Sequence, residues 1–239
     1  MDFKIIHIDE TDSTNRWLKD YLPPLPAGEE RVVVAEFQTA GKGCGSNSWE
    51  SERGKNLTFS MLIHPQNLAA NEQFRMTEVV SVALCETLES IIHNKVAIKW
   101  PNDIYVSDQK ICGILIENRL QGATIKDSII GIGLNVNQRV FLSDAPNPVS
   151  LYQLTGQETD RDALLHQFLT AFERVAANPV VGQAYRERLY RKDIPSSYED
   201  MSGRFKATLT DVQRDGRLVL QDETGQRRTY VFKEVQFII

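Results

Sequence analysis

The sequence predicts an α+β fold that ends in a small, barrel-like run of antiparallel strands. Three observations carry this. Strand-like and helix-like apolar runs interleave as far as Leu189. A helical period is sustained over two long stretches, 72–92 and 160–176. Beyond Pro195-Ser196-Ser197 only short β-type runs remain, separated by Asp-Gly and Asp-Glu-Thr-Gly turns.

Taken in order, Phe3 to Ile8 reads as a short strand. Asp12 or Ser13 then caps an amphipathic helix carrying Trp17, Leu18, Tyr21 and Leu22, which prolines 23, 24 and 26 end. Residues 31–37 form an apolar strand, and 57–63 form one in which Leu57, Phe59, Met61 and Ile63 alternate with Thr58, Ser60 and Leu62. The 72–92 helix carries Met76, Val79, Val80, Ala83, Leu84, Leu88, Ile91 and Ile92 on helical spacing. Val96 to Trp100 is a strand, Pro101-Asn102-Asp103 a turn into Ile104-Tyr105-Val106, and Ser107-Asp108-Gln109 a second turn into a hairpin partner at 111–117. Residues 128–134 form an apolar strand whose glycines, 131 and 133, admit close approach of a backbone or ligand. Leu164, Leu165, Phe168, Leu169, Phe172 and Val175 share one face of the 160–176 helix, and a third helix covers Val180 to Leu189.

Composition excludes several classes. The 239 residues suit one large domain with at most a small appendage, enough to bury about 70% of the unfolded surface without a staple. A net charge of −5 with no block of like charges argues against nucleic acid as the main partner. Cysteines 44, 85 and 112 are odd in number and fit neither a zinc site nor a disulfide framework. The N-terminus lacks a signal-like apolar region and no run is long enough to span a bilayer. The expected setting is cytoplasmic and reduced.

The glycine-rich stretch from Gln38 to Trp49 lies between two strands and has no hydrophobic period of its own. Gly41, Gly43 and Gly45 around Lys42 suit an anion cradle, or simply a flexible surface loop; the spacing matches neither a P-loop nor GxGxxG. Ser13 and Thr14 read equally as helix caps, and Lys110 as a solvated turn residue ahead of its strand. Histidines 7, 64, 93 and 166 are scattered, with no GxSxG elbow or HExxH helix, and Cys44 has no histidine beside it to activate it. Four polar clusters sit at strand ends, where rigid sheets carry their sites: 13–15, the glycine loop, 99–103, and 110 through 135.

Together these stretches resemble biotin–protein ligases. The resemblance rests on Asp12-Ser13-Thr14-Asn15, Gln38-Thr39-Ala40-Gly41-Lys42-Gly43, Ser48-Trp49-Glu50-Ser51, Gly54-Lys55-Asn56-Leu57, Lys99-Trp100-Pro101-Asn102-Asp103, Lys110 through Glu117, and Gly131-Ile132-Gly133-Leu134-Asn135-Val136-Asn137. The C-terminal strands resemble the family's small SH3-like domain more weakly. No helix-turn-helix stretch precedes Ser13, so the resemblance is to monofunctional members without a DNA-binding arm.

The resemblance implies a mixed β-sheet with helices on one side, related to class II aminoacyl-tRNA synthetases, over residues 1–195. An SH3-like barrel over 196–239 follows. It implies two steps, formation of biotinyl-5′-adenylate from biotin and ATP, then transfer to a lysine of a biotin carboxyl carrier domain of a biotin-dependent carboxylase. By analogy Ser13, Thr14, Asn15, Gln38, Gly41, Lys42, Lys110, Gly113 and Gly131 bind biotin. Lys42, Trp49, Asn102, Asp103, Lys110 and Asn135 bind ATP, and Asn135 and Asp103 hold Mg²⁺. Lys110, Lys42 and Asp103 are the catalytic set. Two anions must meet, at a repulsion of about 4 kcal/mol at 4 Å and an effective dielectric of 20, and fixed cations offset it. Asp103 is the expected proton acceptor in the transfer step.

One departure stands out. Where relatives carry Gly-Arg-Gly-Arg-Arg-Gly, this chain has Gly41-Lys42-Gly43-Cys44-Gly45-Ser46. Lysine lacks the arginine fork that suits carboxylate and phosphate, so adenylate is expected to leave faster than from arginine-rich relatives. The rival readings are a lipoate–protein ligase and a non-catalytic biotin-binding protein. The oligomeric expectation is a monomer or weak homodimer, with neither DNA nor membrane as partner.

Overall fold

The computed structural model describes residues 1–20, 29–45, 47–142 and 147–239. The predicted helix positions Tyr21 and Leu22, the three prolines after them and Ser46 lie outside the described residues. Seven strands build the larger sheet: β1 (Phe3–Thr11), β2 (Glu30–Gln38), β3 (Leu57–Ile63), β4 (Val96–Lys99), β5 (Asp103–Val106), β6 (Gln109–Gln121) and β7 (Thr124–Leu134). Their spatial order is β1-β2-β3-β7-β6-β5-β4. Only β1 and β2 run parallel, joined by a crossover that contains α1 (Thr14–Asp20). The remaining helices are α2 (Phe74–Glu89), α3 (Leu151–Thr155), α4 (Arg161–Ala176) and α5 (Val181–Glu187).

Side-chain alternation decides what each face of this sheet does. Val32 and Val34 of β2, the odd-numbered residues of β3, and Ile130, Ile132 and Leu134 of β7 join α2 and α4 in the main core. The residues between them point the other way. Val33, Leu62 and Ile129 pack against Leu18 of α1. The helices are therefore not all on one side, as the resemblance implied: α1 covers the face opposite to α2 and α4. Every residue of β3 is buried; of its polar positions Ser60 lies under α1, and Thr58 meets Ser51.

On the α1 face, the strand register lines up two rows. Thr58, Gly133, Gly113, Asp103 and Lys99 follow one another across β3, β7, β6, β5 and β4. Ser60, Gly131 and Leu115 form the next row. Three glycines in adjacent places leave a floor of bare backbone.

The C-terminal strands are β8 (Pro195–Asp200), β9 (Gly203–Val212), β10 (Leu218–Asp222), β11 (Arg227–Tyr230) and β12 (Val235–Phe237), in the order β11-β10-β9-β8-β12. They form an open antiparallel sheet, which corrects the expectation of a barrel. Closure needs the two edge strands to hydrogen-bond, and here the edges, β11 and β12, have four and three residues and do not pair. One hydrophobic core runs from the large sheet into Leu209, Leu218 and Leu220. Trp100 ties the two sheets by donating from Nε1 to the Gly216 carbonyl at 2.8 Å. α3, absent from the sequence reading, is a one-turn helix held by a capping box between Ser150 and Gln153. Among the described residues no helix is long and apolar enough to cross a membrane.

Candidate functional site

The α1 end of the bare floor is built by a closed set of polar contacts. Gln38 sits at the last position of β2, next to the start of α1, because β1 and β2 are parallel and in register there. Its Oε1 accepts from the Thr14 backbone N–H at 2.8 Å and from the Thr14 hydroxyl at 3.0 Å. Ser60 Oγ, rising from β3 beneath, lies 2.7 Å from Thr14 Oγ1 and 2.6 Å from Asn15 Oδ1. Asn15 Nδ2 donates to Glu117 Oε2 at 2.8 Å, and Lys19 Nζ holds the other Glu117 oxygen at 2.6 Å. Burial pushes the Glu117 carboxyl upward, but the hydrogen bonds from Lys19 and Asn15 outweigh it, and the group ends below its usual range. The charge of Lys42, itself exposed, acts in the same direction.

Gly131 has to be glycine here, because a Cβ would overlap Asn15 Oδ1. Ser13 is buried beside this cluster, its N–H bonded to Asp12 Oδ1 at 2.7 Å. The helix cap expected of Asp12 or Ser13 is not formed by either side chain: Asp12 bonds the N–H of Ser13, ahead of α1, the Thr14 N–H goes to Gln38, and the Ser13 carbonyl accepts from Trp17 N–H at 2.9 Å.

The other end carries charge. Lys110 Nζ and Asp103 Oδ1 are 2.7 Å apart and about one quarter exposed. Gly113 lies next to both, since it pairs with Asp103 and its missing Cβ would sit 3.4 Å from Lys110 Nζ. Trp49 lies across the floor: a Cβ on Gly133 would overlap its indole, one on Gly113 would come within 3.0 Å of it, and Lys110 Nζ stands 5.6 Å over its ring. The glycine loop brings Trp49 there by closing on itself. Gly43 N–H donates to Asn47 O at 2.8 Å, Trp49 N–H donates to Gly41 O at 2.9 Å, and Lys42 pairs with Ser48.

Asn102 donates to Ile114 O at 2.5 Å and lies 3.2 Å from Cys44 Sγ, pinning the loop to β6. Behind it Tyr185, fully buried, donates to Pro101 O at 2.7 Å. Lys99 stands over the rings of Tyr105 and Phe237 at 5.4 Å, and burial lowers its ammonium's pKa while Asp103 pulls it back up. The buried Cys85 and Cys112 thiols are pushed up by burial, which leaves them inert.

The structure thus assembles Ser13, Thr14, Asn15, Gln38, Gly41 and Gly131 at one end, and Trp49, Asn102, Asp103, Lys110 and Gly113 at the other. Asn135 stands apart. It is buried beneath β6, its backbone N–H on Ile111 O at 2.9 Å and its Nδ2 on Val149 O at 3.0 Å, with Oδ1 unpartnered among the described residues. Lys42 is exposed at the rim.

Sequence reasoning missed Ser60, Glu117 and Lys19. The one signal available was Ser60 as a polar position inside a strand that proves buried throughout. A surface groove between α2 and α4, lined by Glu86, Ser90, His166 and Arg174, lies on the opposite face of the sheet and holds none of these residues.

Comparison with known proteins shows what the chain is similar to. The profile of the biotin/lipoate A/B protein ligase family matches residues 8–135, more than half of the chain. The bifunctional ligase/repressor BirA of Bacillus spizizenii is 28% identical over 246 residues, covering 95% of this chain and 72% of its own. The biotin–[acetyl-CoA-carboxylase] ligase of Paracoccus denitrificans is 27% identical over 229 residues, covering 91% and 94%. The biotin protein ligase of Aquifex aeolicus, solved in complex with biotin and ATP, superposes with a TM-score of 0.80 at 25% identity over 98% of this chain and 99% of that one. The matched residues run from β1 through β7 and include Gly113, Gly131 and Gly133 of the floor, and the chain belongs to the biotin/lipoate A/B protein ligase family.

Proposed function

We propose that this protein is an ATP-dependent biotin–protein ligase, which forms biotinyl-5′-adenylate and transfers biotin to a lysine of a biotin carboxyl carrier domain. The observation that carries the reading is the glycine floor, with a neutral hydrogen-bonding cluster at one end and the Lys110–Asp103 pair at the other. A fused, apolar bicycle with a polar head and a carboxylate tail needs such a slot: room along the sheet, donors and acceptors at one end, a cation at the other.

In this reading Thr14, Asn15 and Gln38 meet the polar head, with Ser13 and Gly41 beside them. Gly113 and Gly131 make room for the ring system. Lys110 neutralises the carboxylate as one of its oxygens attacks the α-phosphate and pyrophosphate leaves. Trp49 offers its face to adenine, and Asn102 and Lys42 attend the phosphates. In the second step the neutral amine of the carrier lysine attacks the acyl carbon, AMP leaves, and Asp103 takes the amine's proton.

Mg²⁺ would shield the phosphate charge when bound; Asp103 offers it a carboxylate at the site, while Asn135, whose Oδ1 has no hydrogen-bond partner among the described residues, lies apart beneath β6. One or two protein oxygens completed by phosphates and water is a common Mg²⁺ arrangement. Residues 1–195 serve biotin and ATP in this proposal, and the C-terminal sheet supports the Lys99–Asp103 segment through Trp100.

The test is biotin-dependent exchange of labelled pyrophosphate into ATP, with lipoate run in parallel. Exchange with biotin alone is expected. Exchange with lipoate instead moves the activity to the sister reaction. No exchange with either, in folded protein with magnesium, leaves a biotin-binding protein.

A further inference from the structure

The turn from β4 into β5 carries Pro101 and Asn102, leads straight to Asp103, and is held from behind. Trp100 bonds the Gly216 carbonyl, and Asn102 commits its side-chain amide to Ile114 O at 2.5 Å and Cys44 Sγ at 3.2 Å. Between them the Pro101 carbonyl accepts from the Tyr185 hydroxyl at 2.7 Å. The helix α5 delivers this tyrosine. Gly182 lets α5 close on α2, because a Cβ there would stand 2.8 Å from Glu78 Oε1. One turn further on, Tyr185 packs edge-on against Phe74, with 5.4 Å between ring centroids. Burial, and the charge of Glu78 in the same sense, raise its phenol pKa well above the ordinary value, so it stays a donor.

A planar trans peptide turns its C=O and its N–H in opposite directions. Tyr185 belongs to the main core, on the α2 side of the large sheet. With Pro101 O drawn there, the N–H of Asn102 points the other way, toward the face that holds Asp103, Gly113 and Lys110. Among the described residues that N–H has no hydrogen-bond partner, and the Tyr185 bond is the one that orients the peptide. Backbone donors are obligatory hydrogen-bonding groups. One aimed by a fully buried side chain, next to the Lys110–Asp103 pair, is laid out to meet an acceptor from outside the chain.

We propose that the backbone N–H of Asn102 is a hydrogen-bond donor to the acyl oxygen of the adenylate, and that Tyr185 is the positioning residue that aims it. This rests on the reading of the site as a biotin–protein ligase. In the transfer step the amine nitrogen bonds to the acyl carbon and the carbonyl π pair moves onto oxygen. Asp103 takes the amine's proton, and collapse of the oxyanion breaks the bond to phosphate and releases AMP. The donor that meets this oxygen and the acceptor that meets this nitrogen must flank one carbon, and consecutive residues 102 and 103 do so. The phosphate oxygens carry charge from the outset, whereas the acyl oxygen gains it only in transfer. A donor fixed beforehand lowers that barrier without reorganising.

The experiment compares the full chain with Tyr185→Phe, which keeps the ring against Phe74 and removes only the hydroxyl. Phe74→Leu, which loosens the same packing and keeps the hydroxyl, is the control. Read out are calorimetric affinities for biotin and Mg-ATP, pyrophosphate exchange, single-turnover transfer from preformed adenylate to a carrier domain, and thermal unfolding. Both variants should melt a little lower. Tyr185→Phe alone should slow transfer about tenfold, part of the roughly 10²–10³ that loss of such a donor costs, with exchange and both affinities within twofold of the parent. Without any variant, the Asn102 amide proton of the ¹⁵N-labelled parent should move downfield on binding an acyl-sulfamate analogue of biotinyl-5′-adenylate. An amide that does not respond, transfer and exchange slowed equally, or an ATP affinity that falls with transfer would overturn the proposal. Should the parent exchange pyrophosphate and transfer biotin while Tyr185→Phe transfers as fast, only this inference fails. A parent chain without biotin-dependent exchange removes both.

Discussion

The two ends of the glycine floor are built on opposite principles. At the α1 end, Thr14, Asn15 and Ser60 are almost wholly buried and bonded to one another, to Gln38 and to Glu117. At the loop end, Lys110 and Asp103 are about one quarter exposed, Lys42 is at the surface, and Trp49 Nε1 is buried without a partner among the described residues. A satisfied polar network is costly to disturb and holds one geometry, whereas unpartnered groups gain by meeting a ligand. On the proposed function, the α1 end would be preorganised for its substrate, and the loop end would complete its contacts with the anionic ligand.

The sharpest way to break this comparison is Lys110→Ala. If the loop end exists to manage charge, adenylation should fall by about 10²–10³, measured by pyrophosphate exchange. Stability should change by less than about 1 kcal/mol, since a partly exposed ion pair contributes little to folding. A large loss of stability would show instead that the Lys110–Asp103 pair is a fold element like the α1 cluster. Asp103→Asn separates the two chemical steps at the same end. As proton acceptor, Asp103 should matter to transfer, so single-turnover transfer to a carrier domain should slow about 10²-fold while adenylation slows less. Equal losses in both half-reactions would remove that role.

At the α1 end, Ser60→Ala and Asn15→Ala should each weaken biotin binding, and the double variant should be non-additive by about 0.5–3 kcal/mol, as expected for side chains sharing a hydrogen bond. Calorimetry with biotin gives all four corners of that cycle. Additive effects would mean that the network is merely adjacency.

Most of the strands and long helices were legible because their patterns are local: the 160–176 helix and the hairpin from Val96 to Glu117 follow directly from apolar period and turn residues. What the sequence hid is long-range. Ser60 looked like the solvent side of a half-buried strand, and only the packing of α1 on that face makes it a site residue. Glu117 and Lys19 are 98 positions apart and meet where α1 lies over the sheet. The barrel expectation failed because short turns announce antiparallel pairing but do not say whether the edge strands meet.

The smallest expected effect refines the same comparison and concerns Glu117→Gln. The Glu117 carboxyl is lowered in the folded chain by Lys19 and Asn15 against the effect of burial. A lowered carboxylate contributes stability that is complete above its unfolded value, about 4.3, and is lost as pH falls through the lower folded value. The melting temperature of the parent should therefore exceed that of Glu117→Gln at neutral pH, and the gap should close as pH drops below about 4. More than one third of the side chain is exposed, so the gap should stay under about 1 kcal/mol, or roughly 2–4 °C for a chain of this size. Glutamine still accepts from Asn15 Nδ2 but releases Lys19, and biotin affinity should fall only severalfold. A gap independent of pH would mean that the charge of Glu117 does no structural duty. Asn15 would then be oriented by Ser60 alone, and the α1 end would be less fully preorganised than its hydrogen bonds imply.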